Sequence, residues 1–339
     1  MTKTEKKIEA YKSFWKRENK KPLIGYSIGN YFISKRFRAA EPLLEDGKKI
    51  TPNMIDVNTF KNDYLRMAEL WDEEEHDILF TATPFPGLPW LEAIMGADVY
   101  ATNNSFISHT DKYQNISELR LDTFIDNRWL DKYLEFCTML KELSDNKFPV
   151  GQPILRGPSD VLGSLVGQDR LVFYFYDSPD VTKNSLKLIA ERFLELIYKQ
   201  YEIIDDFYGG FSMGFYDLWC PGACMWFQDD LNALFSPSIY EDYIIKSHQY
   251  LANSYIYTMF HLHPASIYMI DYLLTIDELN AVQINKDVGG PSVREMLPHF
   301  EKVLAKKNLI IWGDFTESEI DFLNKSLVPQ GLYIIIFKD

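Results

Sequence analysis

The stretch YIYTMFHLHP, residues 255–264, is an apolar, β-branched run that ends in two histidines, His261 and His263, two positions apart. In an extended strand residues i and i+2 point to one side, so both imidazoles can reach one divalent cation while Leu262 faces the other way; imidazole nitrogen is a common zinc ligand. A third donor would come from Cys220, Cys224, Asp217, Asp287 or Asp314. The competing reading has one histidine hydrogen-bonded in the core and the other exposed in a turn. Cys220 and Cys224, in LWCPGACMWFQDD, are separated by a Pro-Gly turn and lack the second pair of a zinc knuckle, so they offer one thiolate beside the histidines rather than a site of their own. Asp229 and Asp230 in the same stretch can act in proton transfer, or lie ahead of a helix start where the dipole favours them. Asp160, in RGPSDVLGSLVG, reads with Ser159 as a helix cap.

Such chemistry needs elements that bring these side chains to one place. Eight runs have strand character: 22–30, 77–85 or 97–103, 148–155, 209–219, 253–263, 279–285, 308–314 and 331–337. They alternate with helix-period segments, two of them opened by Ser178-Pro179 and Ser236-Pro237. Alternating βα units predict a (β/α)8 TIM barrel with an N-terminal helical extension. The rival, a doubly wound open sheet, would need a G-x-G-x-x-G after a strand, and the sequence has none. The chain reads as a single domain, with residues 1–76 supplying a helical segment plus the first strand and 77–339 the main body of the barrel. No helix follows the last strand, so the helix of residues 3–19 is expected to cover that gap.

In a barrel of this kind, active-site groups sit where apolar runs end in polar residues. Those residues are Asn30, Gln152, Arg156, Tyr216, Asp217, Trp219, His261, His263, Gln283, Asn285, Asp287 and Asp314. Among them Asp217, Arg156 and Tyr216 are the candidate catalytic groups. Trp219, Gln152, Gln283, Asn285 and Asp287 are the candidate substrate-binding groups, and His261, His263, Cys220 and Asp314 the candidate metal ligands.

Composition narrows the function. The formal charge is -14, and basic residues cluster only in the opening KTEKK segment, which argues against nucleic-acid binding. No run approaches the roughly 18 apolar residues of a membrane span, and the N-terminus has no signal-peptide apolar region. Three cysteines without a disulfide framework point to a reducing compartment and so to a cytoplasmic protein. Aromatic residues make up 15% of the chain, enough to line a pocket as well as fill a core. The expected partners are a small-molecule substrate and a second copy of the chain.

Taken in order, PILRGPSDVLGSLVGQDRLVFYFYDSPD, DLWCPGACMWFQDDLNALFSPSIYEDYI, MFHLHPASIYMIDYLLTIDELNAVQINKDVGGPS and LIIWGD resemble the uroporphyrinogen decarboxylase superfamily, which includes corrinoid-linked methyltransferases. The likeness covers about residues 80–337 and implies a (β/α)8 barrel with its pocket at the strand carboxyl ends. On the methyltransferase branch it implies a Zn²⁺ at the strand bearing His261-Leu262-His263, with His263 in the place of a thiolate, and a methyl-corrinoid on a partner protein as donor. The arginine-rich R-Q-A-G-R-type segment of the decarboxylases is replaced by IGNYFISKRFRAAEP, with Lys35, Arg36 and Arg38, and a substrate with many carboxylates would meet an unfavourable field. The leading expectation is transfer of a methyl or other one-carbon unit to a thiol activated by Zn²⁺, with Asp217 or Asp314 completing or orienting the metal site. The alternatives are metal-free decarboxylation of a porphyrinogen or smaller carboxylate, in which Arg156 or Arg36 binds the acid and Asp217 stabilises a protonated pyrrole, and a non-catalytic barrel that binds a tetrapyrrole or corrinoid.

Overall fold

The computed structural model describes residues 1–338. Its strands are β1 (Leu23–Ile28), β2 (Lys49–Ile50), β3 (Asp98–Ala101), β4 (Phe106–His109), β5 (Phe211–Met213), β6 (Leu218–Cys220), β7 (Cys224–Phe227), β8 (Tyr257–Leu262), β9 (Ala281–Lys286), β10 (Asn308–Gly313) and β11 (Leu332–Lys338). The helices the site depends on are α1 (Lys3–Trp15), α2 (Lys61–Glu73), α3 (Trp90–Ile94), α4 (Asn127–Ser144) and α5 (Pro158–Val166). Six strands form a curled parallel sheet in the order β1-β11-β10-β9-β8-β7. Among the described residues no helix is long and apolar enough to cross a membrane.

Strand alternation sorts the sheet's side chains into two layers. Phe260 and Leu262 of β8, Val282 and Ile284 of β9, Leu309 and Ile311 of β10, and Leu332 and Ile334 of β11 join the core shared with the helices. Trp226, Met259, Ala281, Ile310, Tyr333 and Ile335 belong to a second core on the concave side. The register carries the concave rows upward: His261 stands opposite Gln283 and Asn285 opposite Trp312. The apolar floor therefore gives way to polar groups at the strand carboxyl ends.

Three expected strands come out differently. The run 209–219 is not a strand of the main sheet: it folds into the antiparallel β5–β6 pair, turned by Asp217 in the left-handed region (φ 48°) and packed into the concave core. The sheet position falls instead to β7, which pairs with β8. Of the two options near residue 80, 97–103 contributes β3 to a separate three-stranded antiparallel sheet. Residues 77–82 and 148–156 are extended but touch their neighbours only at isolated points: Asp77 N–H donates to Ile24 O at 2.9 Å, Ala82 bridges Val150, and Arg156 bridges Gln228. Pro149 and Pro153 have no N–H to donate to a ladder. The side chain of Gln152 takes over part of that role, its Nε2 donating to Trp226 O at 2.6 Å and its Oε1 accepting from Trp226 N–H at 3.0 Å. Gly214 is held so close to Thr83 and to the Gly151–Gln152 backbone that a Cβ has no room.

The helix α1 does not fill a gap in an outer ring. It packs on the concave core, where Tyr11, Phe14 and Trp15 are buried, Trp15 Nε1 donates to Trp219 O at 2.8 Å, and Trp15 packs on Tyr257 at the start of β8. Residues 31–60 are mostly short 3-10 turns, with regular helix only from Lys61.

The amide pairing of Gln152 with Trp226 is buried, so its loss leaves both backbone groups of Trp226 unpaired on that edge. Gln152→Leu is expected to cost about 2–4 kcal/mol, read as a lower urea midpoint at unchanged slope; a loss below about 0.5 kcal/mol would show that the amide does not hold this edge.

Candidate functional site

The carboxyl ends of β7 and β8 bring three donors together. Asp230, His261 and His263 each offer a ligand atom within 4.8 Å of the others. Among the described residues they are the one group of three or more His, Cys, Asp or Glu side chains placed to share an ion. His261 Nε2 lies 3.9 Å from Asp230 Oδ1, and the two imidazole rings are perpendicular with centroids 4.6 Å apart.

Hydrogen bonds behind the donors set their orientation. Gln283 Nε2 donates to Asn285 Oδ1 at 2.9 Å, so Gln283 Oε1 faces His261 Nδ1 as an acceptor. That partner places the imidazole proton on Nδ1 and leaves the Nε2 lone pair on the side of Asp230. Tyr216 Oη is 2.7 Å from the same Nδ1. His263 Nδ1 lies 2.9 Å from both oxygens of Asp287, which leaves its Nε2 free. Burial pushes the His261 pKa down to about 4, with His263 adding to the effect, so His261 is neutral at pH 7. For His263 burial acts in the same direction, but Asp287 and Asp230 outweigh it and raise the pKa.

His261, His263 and Tyr216 open on a cleft of about 280 Å³, which Arg156, Arg36, Gln228, Asn285, Trp312 and Tyr31 also line. Arg156 Nη1 is 3.2 Å from Glu92 Oε1; Glu92 is fully buried, and its Oε2 has no partner. Burial works against the charge of Arg156, but Glu92, Asp160 and Asp230 hold it on. Arg36 donates from Nε to Asn30 O at 2.7 Å and from Nη2 to Ser27 Oγ at 3.1 Å.

Two buried carboxylates hold the Asp230 backbone in place. Asp229 Oδ1 accepts from the Ser159 and Asp160 N–H groups, both at 3.0 Å, at the start of α5. Asp160 answers in kind, accepting from Asp230 N–H at 2.9 Å and Leu231 N–H at 2.7 Å at the next helical turn. Asp160 thus caps that turn and not its own helix, whose N-cap is Gly157. The other Asp229 oxygen lies 3.0 Å from His248 Nε2, which rests on Tyr240. The Asp229-Asp230 pair divides its work: Asp229 serves the helix start and Asp230 faces the histidines.

Several expected site residues lie elsewhere. Cys220 is buried in the concave core, its Sγ toward Leu218 O and its pKa raised by burial and by Cys224; it joins neither the histidines nor the cleft. The β5–β6 turn that displaced residues 209–219 from the sheet explains this. Asp314 is exposed beyond β10 and is not part of the ligand group. Trp219 is buried with Nε1 donating to Phe207 O at 2.8 Å, and Gln152 is committed to Trp226, so neither reaches the cleft. Tyr216 reaches it from the hairpin, not from a strand end. Asp217 lines a chamber beside the cleft, its carboxylate accepting from Thr81 N–H at 2.7 Å and Trp71 Nε1–H at 3.2 Å. Gln228, Glu92 and Trp312 were not anticipated as site residues, and Asp230 was considered for proton transfer or a helix start but not as a partner of the histidines. The run CMWFQDD carries the signal for Asp230, because it is apolar and then polar in the same way as YTMFHLH.

A scan against protein-family models returns no match for this chain, and a search of curated proteins returns none either.

Burial lifts the Asp217 pKa to about 8, against the lowering effect of Thr81, Trp71, Arg36 and Lys7. The folded chain then holds a proton here that the unfolded chain releases near pH 4, so this group removes stability as pH rises from about 4 to about 8. The urea midpoint of Asp217→Asn is expected to rise relative to wild type between pH 5 and pH 8.5; parallel pH profiles for the two proteins would refute the assignment.

Proposed function

We propose that this chain is a uroporphyrinogen decarboxylase-like (β/α)8 barrel enzyme that holds one divalent metal ion, Zn²⁺ in the first instance, and transfers a methyl or other one-carbon unit. The barrel reading is supported by the two extended segments between β1 and β7, whose isolated parallel bridges continue the sheet order around to Gln228. The observation that carries the function is the Asp230, His261 and His263 group at the carboxyl ends of β7 and β8. Two imidazoles and one carboxylate suit zinc and other borderline divalent ions. The Asp287–His263 and Gln283–His261 pairs are the outer hydrogen bonds that metal-ligating histidines ordinarily make.

When bound, such an ion supplies Lewis acidity that lowers the pKa of a thiol substrate. The donor set contains no thiolate. The chain's own contribution is positional. Gln283 and Asp287 keep the two imidazole Nε2 atoms free, and the Asp160 carboxylate fixes the Asp230 backbone. Arg156 and Arg36 place positive charge on a cleft in a protein of net charge -14, which favours an anionic substrate. A methyl-corrinoid on a partner protein would supply the methyl group, and a thiol held at Asp230, His261 and His263 would lose its proton to solvent and accept that group as thiolate. The three unpaired cysteines suit a reducing cytoplasm. The two arginines also favour a second reading, decarboxylation of a carboxylate substrate without a metal.

Protein purified without a histidine tag and reconstituted with Zn²⁺ is expected to retain one ion per chain after dialysis, and to demethylate methylcobalamin in the presence of a small thiol. The His261→Ala, His263→Ala double variant should lose both, and Asp287→Ala should weaken the metal about 10–100-fold. No stoichiometric zinc in wild type, or full retention in the double variant, would overturn the proposal; release of CO₂ from a carboxylate substrate, undiminished in the double variant, would favour the second reading.

A further inference from the structure

At the amino end of β1, the end opposite the cleft, lies a groove of about 600 Å³ between α1 and the segment that follows α2. Lys3, Lys6, Lys7 and Ala10 line it from α1 at the spacing i, i+3, i+4, i+7, which is one face of a helix. Lys21, Glu75, His76 and Asp77 stand on the facing wall. Residues 1–21 carry eight Lys or Arg and three Asp or Glu, in a chain whose net charge is -14.

The charges of the groove do not cancel. Asp77 is spent on Lys21, at 3.3 Å, and on the Ile24 N–H, at 3.0 Å. His76 meets the backbone with both ring nitrogens, at Trp71 O and at the Ile78 N–H, so it adds no positive charge. Lys3 Nζ donates to Asp72 O at 2.7 Å and Lys7 Nζ to Ile78 O, both of them backbone carbonyls. Among the described residues none of Lys3, Lys6 and Lys7 has a carboxylate within 4.0 Å. Set against Glu75, these three lysines leave the groove a surplus of two positive charges. Lys7 is only 7% exposed, and a buried ammonium without a counter-charge is costly. Burial, with Lys3 adding to it, lowers the Lys7 pKa to about 8, so it still carries its charge at pH 7.

We propose that this groove binds the dianion of a soluble phosphate monoester, held between Lys3, Lys6 and Lys7. Such a group brings a charge of about -2 and three strong acceptor oxygens, which matches the surplus. Each ammonium has three N–H donors, and Lys3 and Lys7 have given the backbone one apiece. A carboxylate, with a single negative charge, leaves half the surplus unmet. A lipid headgroup would need an apolar stripe beside the lysines to enter the bilayer, whereas Ile8, Tyr11, Phe14 and Trp15 of α1 are all buried in the concave core. The site is independent of the metal-site reading given above.

Glycerol 3-phosphate is the probe, titrated by calorimetry on the full chain at pH 7. Wild type is expected to bind one molecule per chain with a dissociation constant below about 1 mM, and to bind propionate about tenfold more weakly or less. The Lys3→Gln, Lys6→Gln double variant, changed at two exposed side chains, should weaken the phosphate about tenfold or more; its thermal melt shows whether it has folded, and Lys6→Gln alone decides the matter if it has not. Saturating glycerol 3-phosphate should slow the acetylation of Lys6 by acetic anhydride, read by peptide mass, and leave that of the exposed Lys325, outside the groove, unchanged. The proposal falls if wild type shows no saturable binding, if propionate binds as tightly, or if the variants bind as wild type does. It falls equally if Lys6 is protected no more than Lys325. Wild type that sediments with phosphatidate vesicles but does not bind glycerol 3-phosphate would give the lysines to a lipid headgroup and overturn it.

Discussion

The constraint on which the site depends is the two-sidedness of a buried parallel strand. Phe260 and Leu262 are committed to the core shared with the helices, and alternation then leaves His261 and His263 no choice but the concave side. A one-residue slip would place two imidazoles against apolar helices and two large apolar side chains in the cleft. The register with β9 carries the same consequence one strand further, setting Gln283 beside His261. Burial of ordinary hydrophobic residues thus enforces the geometry of the polar ones.

The second determinant is what fills the concave side. Wide parallel sheets that curl leave an interior that side chains must pack, and here the β5–β6 hairpin and α1 supply much of the packing. The hairpin adds more than bulk. Tyr216 touches His261 and Asp217 lines the chamber, so one turn links the floor of the cleft to the wall of the pocket beside it. Its entry requires very close backbone approach, which is why glycine stands at 214.

Around the ligand group the charges are arranged in layers. Asp230 faces the histidines, Asp229 and Asp160 are spent on helical amides, and Arg156 sits between Glu92 and these acids. Burial raises the pKa of Asp160, with Asp229 and Asp230 adding to it, while the amides it accepts from oppose the change. A cluster of like charges is kept compact by backbone donors on one side and a guanidinium on the other. The consequence is that the Asp230 backbone is tied to Asp160 beside the two histidines.

Much of this was legible in the residues themselves. The apolar runs around 22–30, 253–263, 279–285, 308–314 and 331–337 became strands of one parallel sheet because each carries a local pattern that burial on both faces rewards. The histidine pair at spacing i, i+2 specified its own shared side for the same reason. What the pattern could not decide was which of two neighbouring apolar runs, 209–219 or 224–228, would enter the sheet, since both are hydrophobic enough to be buried. Tertiary packing decided it, and with it whether Cys220 or Asp230 would meet the histidines. Proline-broken segments at 77–85 and 148–156 were likewise settled only by long-range partners, through a glutamine side chain standing in for backbone bonds. Local chemistry determines which residues can pair; only the closed packing of distant segments determines which of them do.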